Sequence, residues 1–309
     1  MNLTSLQQTL NPFDLRSCLI SHRGEPVFRH YRDIRCGTEP AKTNSCTKSI
    51  LSALICIAMD QGKLPEAGAA IADFFPQLAD DPDPRKRDIT LEHLLTMSAG
   101  WEWTEFGGRN SFPRMTRTSN WVDFVLAQPL AHPPGGRMEY NSGASQLLSS
   151  ILFQATGMDA AAFAEQFLFG PLGIGEYKWE QDPQGHRTGG FGLWLRPADL
   201  LKFGQLYLQE GRWDEQHLIS RRLAKLSVQP ALPAAPPNRG RYAWHWWTDT
   251  YGETAETAFD YFYARGFGGQ FVYVVPSLDI VVVLTDDKRK KDRSPVDLFR
   301  RHIAPLLVR

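Results

Sequence analysis

The pattern of apolar and polar positions changes period twice along the chain. Near the N-terminus, Ser17-Cys18-Leu19-Ile20-Ser21-His22 and Pro26-Val27-Phe28-Arg29-His30-Tyr31 flank Arg23-Gly24-Glu25. Two short apolar runs around a glycine-containing turn predict a β-hairpin. Residues 49–59 are apolar nearly all round, which predicts a buried helix. Asn44 or Ser45 can cap its start, and Gly62 ends it. From about Pro65 to Trp194 the period is helical, broken by Pro/Gly loops. Helices are predicted at residues 89–97 with Thr90 as cap, and at 120–127, 143–154 and 158–169. Residues 197–210 open on proline and close at Gly211, as a helix should. The strand period then returns. Gln270–Val275 and residues 279–285, joined by Pro276-Ser277-Leu278, predict a second hairpin, central and well buried. Residues 294–308 predict a closing helix.

Strands at both ends with helices between them define an α/β (α+β) architecture. An antiparallel sheet is built from both termini and flanked by helices, with a mainly helical domain inserted. The expected division is a discontinuous α/β domain of residues 1–64 and 195–309 around a helical domain of residues 65–194. The 309 residues suffice for one large or two medium domains. An apolar content of 42% with 12% aromatics excludes wholesale disorder. No internal repeat is apparent.

Charge narrows the field of partners. The chain has 34 Lys+Arg against 34 Asp+Glu. It therefore lacks the basic excess that neutralises phosphates, and a nucleic-acid partner is not expected. The one dense charge run, residues 286–293, has mixed signs and reads as a solvated loop. No apolar stretch approaches the roughly 20 residues of a transmembrane helix; the longest, residues 50–59, is interrupted by Ser52. No membrane partner is expected. The N-terminus shows no basic region followed by an apolar one, so a cytoplasmic location is expected, or a periplasmic one if a leader was trimmed. Cys18, Cys36, Cys46 and Cys56 form no CxxC pair and read as reduced, mostly buried thiols.

Candidate chemistry centres on Ser45-Cys46-Thr47-Lys48. Helical positions i and i+3 share a face, so the lysine amine can reach the serine hydroxyl. A desolvated lysine with a lowered pKa can serve as the base that a serine nucleophile needs. A helix N-terminus also favours developing negative charge. About one SxxK is expected by chance in a chain of this size. Alone, the spacing is better explained as a helix cap beside a solvated lysine. Its setting argues otherwise, because a polar pair heading so apolar a helix must find partners or a cleft. Tyr140, in Glu139-Tyr140-Asn141-Ser142, precedes a helix start and can project its phenol into a cleft. Ala264-Arg265-Gly266-Phe267-Gly268-Gly269-Gln270 leads into a strand, which does not suit a dinucleotide fingerprint. Its glycines allow close backbone approach, and its N–H groups can face a reacting carbonyl. No GxSxG elbow supports a Ser-His-Asp triad; the nearest approach, Gly143-Ala144-Ser145-Gln146-Leu147, lacks the second glycine. Trp101, Trp103, Trp244, Trp246 and Trp247 read mainly as packing residues, with Trp101 or Trp103 as the alternative lining of an acyl pocket.

These elements, in this order, resemble the serine β-lactamase and penicillin-binding-protein superfamily, most closely its class C-like branch of esterases, D-amino-acid peptidases and 6-aminohexanoate-dimer hydrolases. Ile89-Thr90-Leu91-Glu92-His93-Leu94-Leu95-Thr96-Met97-Ser98-Ala99-Gly100 and Gly190-Phe191-Gly192-Leu193-Trp194-Leu195-Arg196-Pro197-Ala198-Asp199-Leu200 are similar to that branch's segments. The resemblance spans roughly residues 17–308. It implies Ser45 as acylated nucleophile, Lys48 as its partner and Tyr140 as a proton carrier, in a cleft between the two domains. It implies oxyanion donors at the backbone N–H groups of Ser45 and Phe267, and substrate-binding positions at Ser142 and Gly266. Two departures stand out. The family's asparagine falls at position 142, here Ser142, with Asn141 one place early. The family's KTG or HxG motif falls near Ala264-Arg265-Gly266, without its Lys or His. The implied activity is cofactor-independent, metal-free hydrolysis of a small ester or amide. The alternatives are a β-lactamase or D-amino-acid peptidase, and an inactive binding protein on the same fold.

Overall fold

A computed structural model describes residues 3, 5–287 and 298–308. Eight strands form one antiparallel sheet: β1 (Ser17–His22), β2 (Glu25–Tyr31), β3 (Leu232–Pro233), β4 (Arg241–Tyr242), β5 (Trp247–Tyr251), β6 (Phe259–Gly266), β7 (Gln270–Val275) and β8 (Ile280–Thr285). Their spatial order is β2-β1-β8-β7-β6-β5-β4-β3. The two predicted hairpins therefore meet directly. β1 pairs with β8, from Ser17 opposite Thr285 to His22 opposite Ile280. A buried hydrogen bond of 2.6 Å between the Ser17 and Thr285 hydroxyls marks one end of that register.

The central strands are covered on both faces, which explains why β7 and β8 read as continuous apolar runs rather than as alternation. Val272, Val274, Val281 and Val283 face one core with Leu19, Leu54 and Phe203. Phe271, Tyr273, Val282 and Leu284 face a second core with Leu6, Leu10, Phe299 and Ile303. The first core extends through helices α1 (Thr47–Asp60), α2 (Leu91–Leu95), α3 (Ser142–Thr156) and α4 (Pro197–Leu208). Helix α4 lies tightly on the sheet. A Cβ at Gly204 would sit 2.4 Å from Val281 Cγ1, so only glycine allows that approach.

Several elements differ from expectation. Helix α1 has no side-chain cap from Asn44 or Ser45; a 3₁₀ turn, Asn44–Cys46, leads into it instead. Residues 158–169 form a short helix, Ala160–Ala164, followed by a wider π turn, Glu165–Phe169. Strands β5 and β6 were not predicted. In β6 the side chains alternate, with Tyr261 and Tyr263 facing one core and Phe262 and Ala264 the other. The glycine run thus closes β6 as well as leading into β7. Most of the 286–293 charge run and the start of the predicted closing helix lie outside the described residues. All four cysteines are free and buried.

Candidate active site

Ser45 sits in the tight turn ahead of α1. Asn44 takes a left-handed conformation there (φ 48°), which asparagine tolerates better than most residues. Its amide donates to the Phe267 carbonyl at 2.6 Å, tying the turn to the end of β6. Gly266 completes the junction. A Cβ at that position would lie 2.2 Å from the Thr43 carbonyl oxygen and 3.1 Å from the Ser45 nitrogen. The close approach anticipated for this glycine run is therefore made by the backbone of the serine turn. Among the described residues, neither the Ser45 nor the Phe267 N–H is used in a backbone hydrogen bond.

One helical turn on, Lys48 is 1% exposed. Its Nζ lies 3.2 Å from Ser45 Oγ, 2.9 Å from Ser142 Oγ and 2.7 Å from the Gly190 carbonyl oxygen. A Cβ at Gly190 would press to 3.0 Å from Nζ, so glycine there lets the carbonyl reach the amine. Burial lowers the Lys48 pKa from 10.5 to about 8, against an opposing pull from the Glu105 carboxylate. The amine is thus poised to lose its proton near neutral pH, a condition for general-base work.

Tyr140 is half-buried, with its ring stacked on Trp247 at 5.9 Å and 4.9 Å below Lys48 Nζ. Burial raises its pKa above the usual phenol range, Glu105 raises it further, and the Ser45 hydroxyl opposes the shift. The phenol therefore keeps its proton at neutral pH. Asn141 is not in the cluster: its Oδ1 accepts from the Gly143 and Ala144 amides and caps α3. That cap turns Ser142 inward to Lys48, the place the motif alignment gives to the family's asparagine. Ser142 is 3% exposed and lies behind the lysine rather than on the cleft wall.

The cluster opens into a cleft of about 210 Å³ lined by Ser45, Tyr140, Trp247, Arg265 and Phe267, with Glu105, Phe106 and Asn238. Phe106 and Phe267 are 74% and 64% exposed, which makes the mouth apolar. Arg265 bonds Asn238 Oδ1 at 2.8 Å and stacks over Trp247; among the described residues no carboxylate pairs with it. Trp101 and Trp103 are buried away from this wall, which Trp247 supplies instead. A larger groove of about 340 Å³, bordered by Arg241, Asp249 and Tyr261, contains none of these residues. Among the described residues, no group of three or more His, Cys, Asp or Glu could hold a metal ion.

Glu105 lies in none of the motifs, and the segments that contain Gly190 and Trp247 did not announce their roles here. Gly190 acts through its carbonyl, which no side-chain pattern encodes. Glu105 lies in an irregular aromatic loop, and its one hint is an acidic residue two places after the buried Trp103.

Comparison with known proteins bears on the fold and the family. The chain's fold is shared with a protein from Bacillus anthracis provisionally named a 6-aminohexanoate-dimer hydrolase: TM-score 0.82, 18% identity, 98% of this chain and 81% of that one. It is shared with the octameric penicillin-binding protein homologue from Pyrococcus abyssi: TM-score 0.77, 17% identity, 99% and 78% coverage. It is shared too with EstCE1, a hydrolase with promiscuous acyltransferase activity: TM-score 0.71, 16% identity, 98% and 94% coverage. No curated protein sequence matches the chain. The family model described as Beta-lactamase matches residues 17–304, and the chain belongs to that family of serine hydrolases.

Proposed function

We propose that the protein cleaves a small ester or amide through an acyl-enzyme on Ser45. The observation that carries this reading is Ser45 Oγ at 3.2 Å from a buried lysine amine whose pKa is lowered to about 8, at the floor of an open cleft. Neutral Lys48 takes the Ser45 proton as Oγ bonds the substrate carbonyl carbon, and the carbonyl electron pair moves onto oxygen. The N–H groups of Ser45 and Phe267 hold that oxyanion. Tyr140, still carrying its proton, relays one from the lysine side to the leaving group. Water then cleaves the ester on Ser45, and no cofactor is consumed. The apolar mouth of Phe106, Phe267 and Trp247 favours an uncharged acyl or leaving group.

A second reading has support in Arg265, a guanidinium on the cleft wall without a carboxylate partner among the described residues. It could meet the carboxylate of a β-lactam or a D-amino-acid peptide. A panel of p-nitrophenyl esters, anilides and a chromogenic cephalosporin, run on the wild type and Ser45→Ala in parallel, separates the two. Ester or amide turnover lost in Ser45→Ala is the expected result. Fast Ser45-dependent cephalosporin turnover with slow ester cleavage would transfer the assignment to the second reading.

A further inference from the structure

Glu105 belongs to none of the motifs, yet it is wired to the centre of the cluster. Its Oε2 accepts from the Ser142 amide at 3.0 Å and from Trp103 Nε1 at 2.8 Å. Its Oε1 accepts a hydrogen bond from the Ser142 hydroxyl. Glu105 borders the cleft, but both oxygens are occupied by protein donors.

The proton inventory then has one solution. A serine hydroxyl has a single proton, and a carboxylate only accepts. With its proton given to Glu105, Ser142 Oγ can only accept from Lys48, at 2.9 Å. The Gly190 carbonyl, at 2.7 Å, can likewise only accept. A neutral lysine amine has two N–H groups and one lone pair. Two obligate acceptors use the two N–H groups, and the lone pair is left to face Ser45 Oγ at 3.2 Å.

We propose that Glu105 is a positioning residue: by holding the Ser142 proton it sets the direction of the hydrogen-bond chain, so that neutral Lys48 presents its lone pair to the Ser45 hydroxyl. The inference rests on the reading of Ser45 as nucleophile and Lys48 as its base. The proton balance is complete within the cluster. Ser45 Oγ loses its proton to Lys48 Nζ as Oγ bonds the carbonyl carbon. The resulting ammonium has three N–H groups and three acceptors, Ser45 Oγ, Ser142 Oγ and the Gly190 oxygen. No proton moves to Glu105.

Glu105 also acts on Lys48 through charge. Among the described residues, the titratable groups facing the amine are Cys46 on the nucleophile turn, Tyr140 ahead of α3, His245 ahead of β5, and Glu105. Burial pushes the Cys46 thiol up and holds His245 down near 3, so both stay neutral at working pH. Tyr140 stays protonated. Glu105 is the anion that raises the Lys48 pKa, so its removal shifts the amine toward the neutral base. Glu105→Gln should therefore do two opposed things. It makes neutral lysine available at lower pH. It also brings in an amide N–H that can donate to Ser142 Oγ, which frees the Ser142 proton to block the lysine lone pair.

The test is single-turnover acylation by p-nitrophenyl acetate across the pH range. It uses wild type, Glu105→Gln, Ser142→Ala and Ser45→Ala, with a thermal melt for each. The wild-type rate should rise through pH of about 8. Glu105→Gln should move that limb to lower pH while its high-pH plateau falls about 10²-fold. A structural role alone would lower the plateau and leave the limb in place, and that result would overturn the proposal. So would a plateau within about twofold of wild type. If Glu105→Gln does not fold, Ser142→Ala decides, because it removes only the intervening hydroxyl. A plateau loss of about tenfold or more supports the proposal, and a smaller loss overturns it. Nitrophenol release retained by Ser45→Ala would instead refute the nucleophile reading, and the proposal with it.

Discussion

Ser45 with Lys48 and Ser145 with His245 are two serine–base pairs on different elements, and only the first looks into a cleft. Ser45 Oγ is 3.2 Å from Lys48 Nζ and lines the cleft with Tyr140 and Trp247. Ser145 Oγ is 3.0 Å from His245 Nε2, yet Ser145 is 0% and His245 2% exposed. The other histidine nitrogen is taken by the Leu95 carbonyl at 2.9 Å. Burial, followed by the Lys48 charge, holds the His245 pKa near 3, and among the described residues no carboxylate orients the ring. That pair is a satisfied core contact, pinning α3 to the loop ahead of β5 and to α2. Proximity of hydroxyl and base is therefore not sufficient for chemistry. Access, unused N–H groups beside the hydroxyl, and a base whose pKa falls near working pH separate the two pairs.

The contrast breaks most sharply at Lys48. Lys48→Met should cut acylation by about 10³-fold or more, because nucleophile and base act as a unit. It should also change how stability depends on pH. The folded-state pKa of about 8 lies below the ordinary 10.5, so the unfolded chain binds more protons between those values. The burial of Lys48 thus costs stability in full below pH 8, and the cost fades as pH rises toward 10.5. Denaturant titrations should show wild type gaining on Lys48→Met by on the order of 3 kcal/mol across that window. A constant difference would mean that the amine is not desolvated as described.

Tyr140→Phe sharpens the division of labour within the active pair's surroundings. Loss of the phenol hydroxyl should lower ester turnover by about 10²-fold, measured as kcat, with the ring packing on Trp247 retained. The smallest effect on activity belongs to the control pair. Ser145→Ala should keep ester turnover within about twofold, yet lose about 1 kcal/mol of stability in a denaturant melt, because His245 Nε2 loses its partner. Lost activity in a folded Ser145→Ala protein would erase the distinction drawn between the pairs.

The contact between Ser45 and Lys48 was legible in the sequence because its geometry is local. The i, i+3 spacing brings Ser45, in the 3₁₀ turn, against Lys48, in the first turn of α1, as helical period suggests. Motif alignment marked Ser142 as a substrate-binding position, whereas the Asn141 cap places it behind Lys48 and off the cleft wall. Both hairpins of the central sheet were readable from apolar runs. Strands β5 and β6 were missed because Thr248, Asp249 and Thr250 interrupt the apolar pattern of β5, and aromatic residues suit several element types. Glu105 was beyond reach for another reason. It is joined to Ser142 across an irregular loop, and no periodicity connects the two. His245 shows the opposite limit, since nothing local in its sequence marks it as the partner of Ser145.

The central claim is that Ser45, and not Ser145, is the acylated serine. Reaction of the folded wild-type protein with a fluorophosphonate probe, followed by peptide mass spectrometry, tests it most directly. The account predicts one adduct, on the peptide containing Ser45, absent in Ser45→Ala and unchanged in Ser145→Ala. An adduct on Ser145, or none on a folded protein, would contradict it.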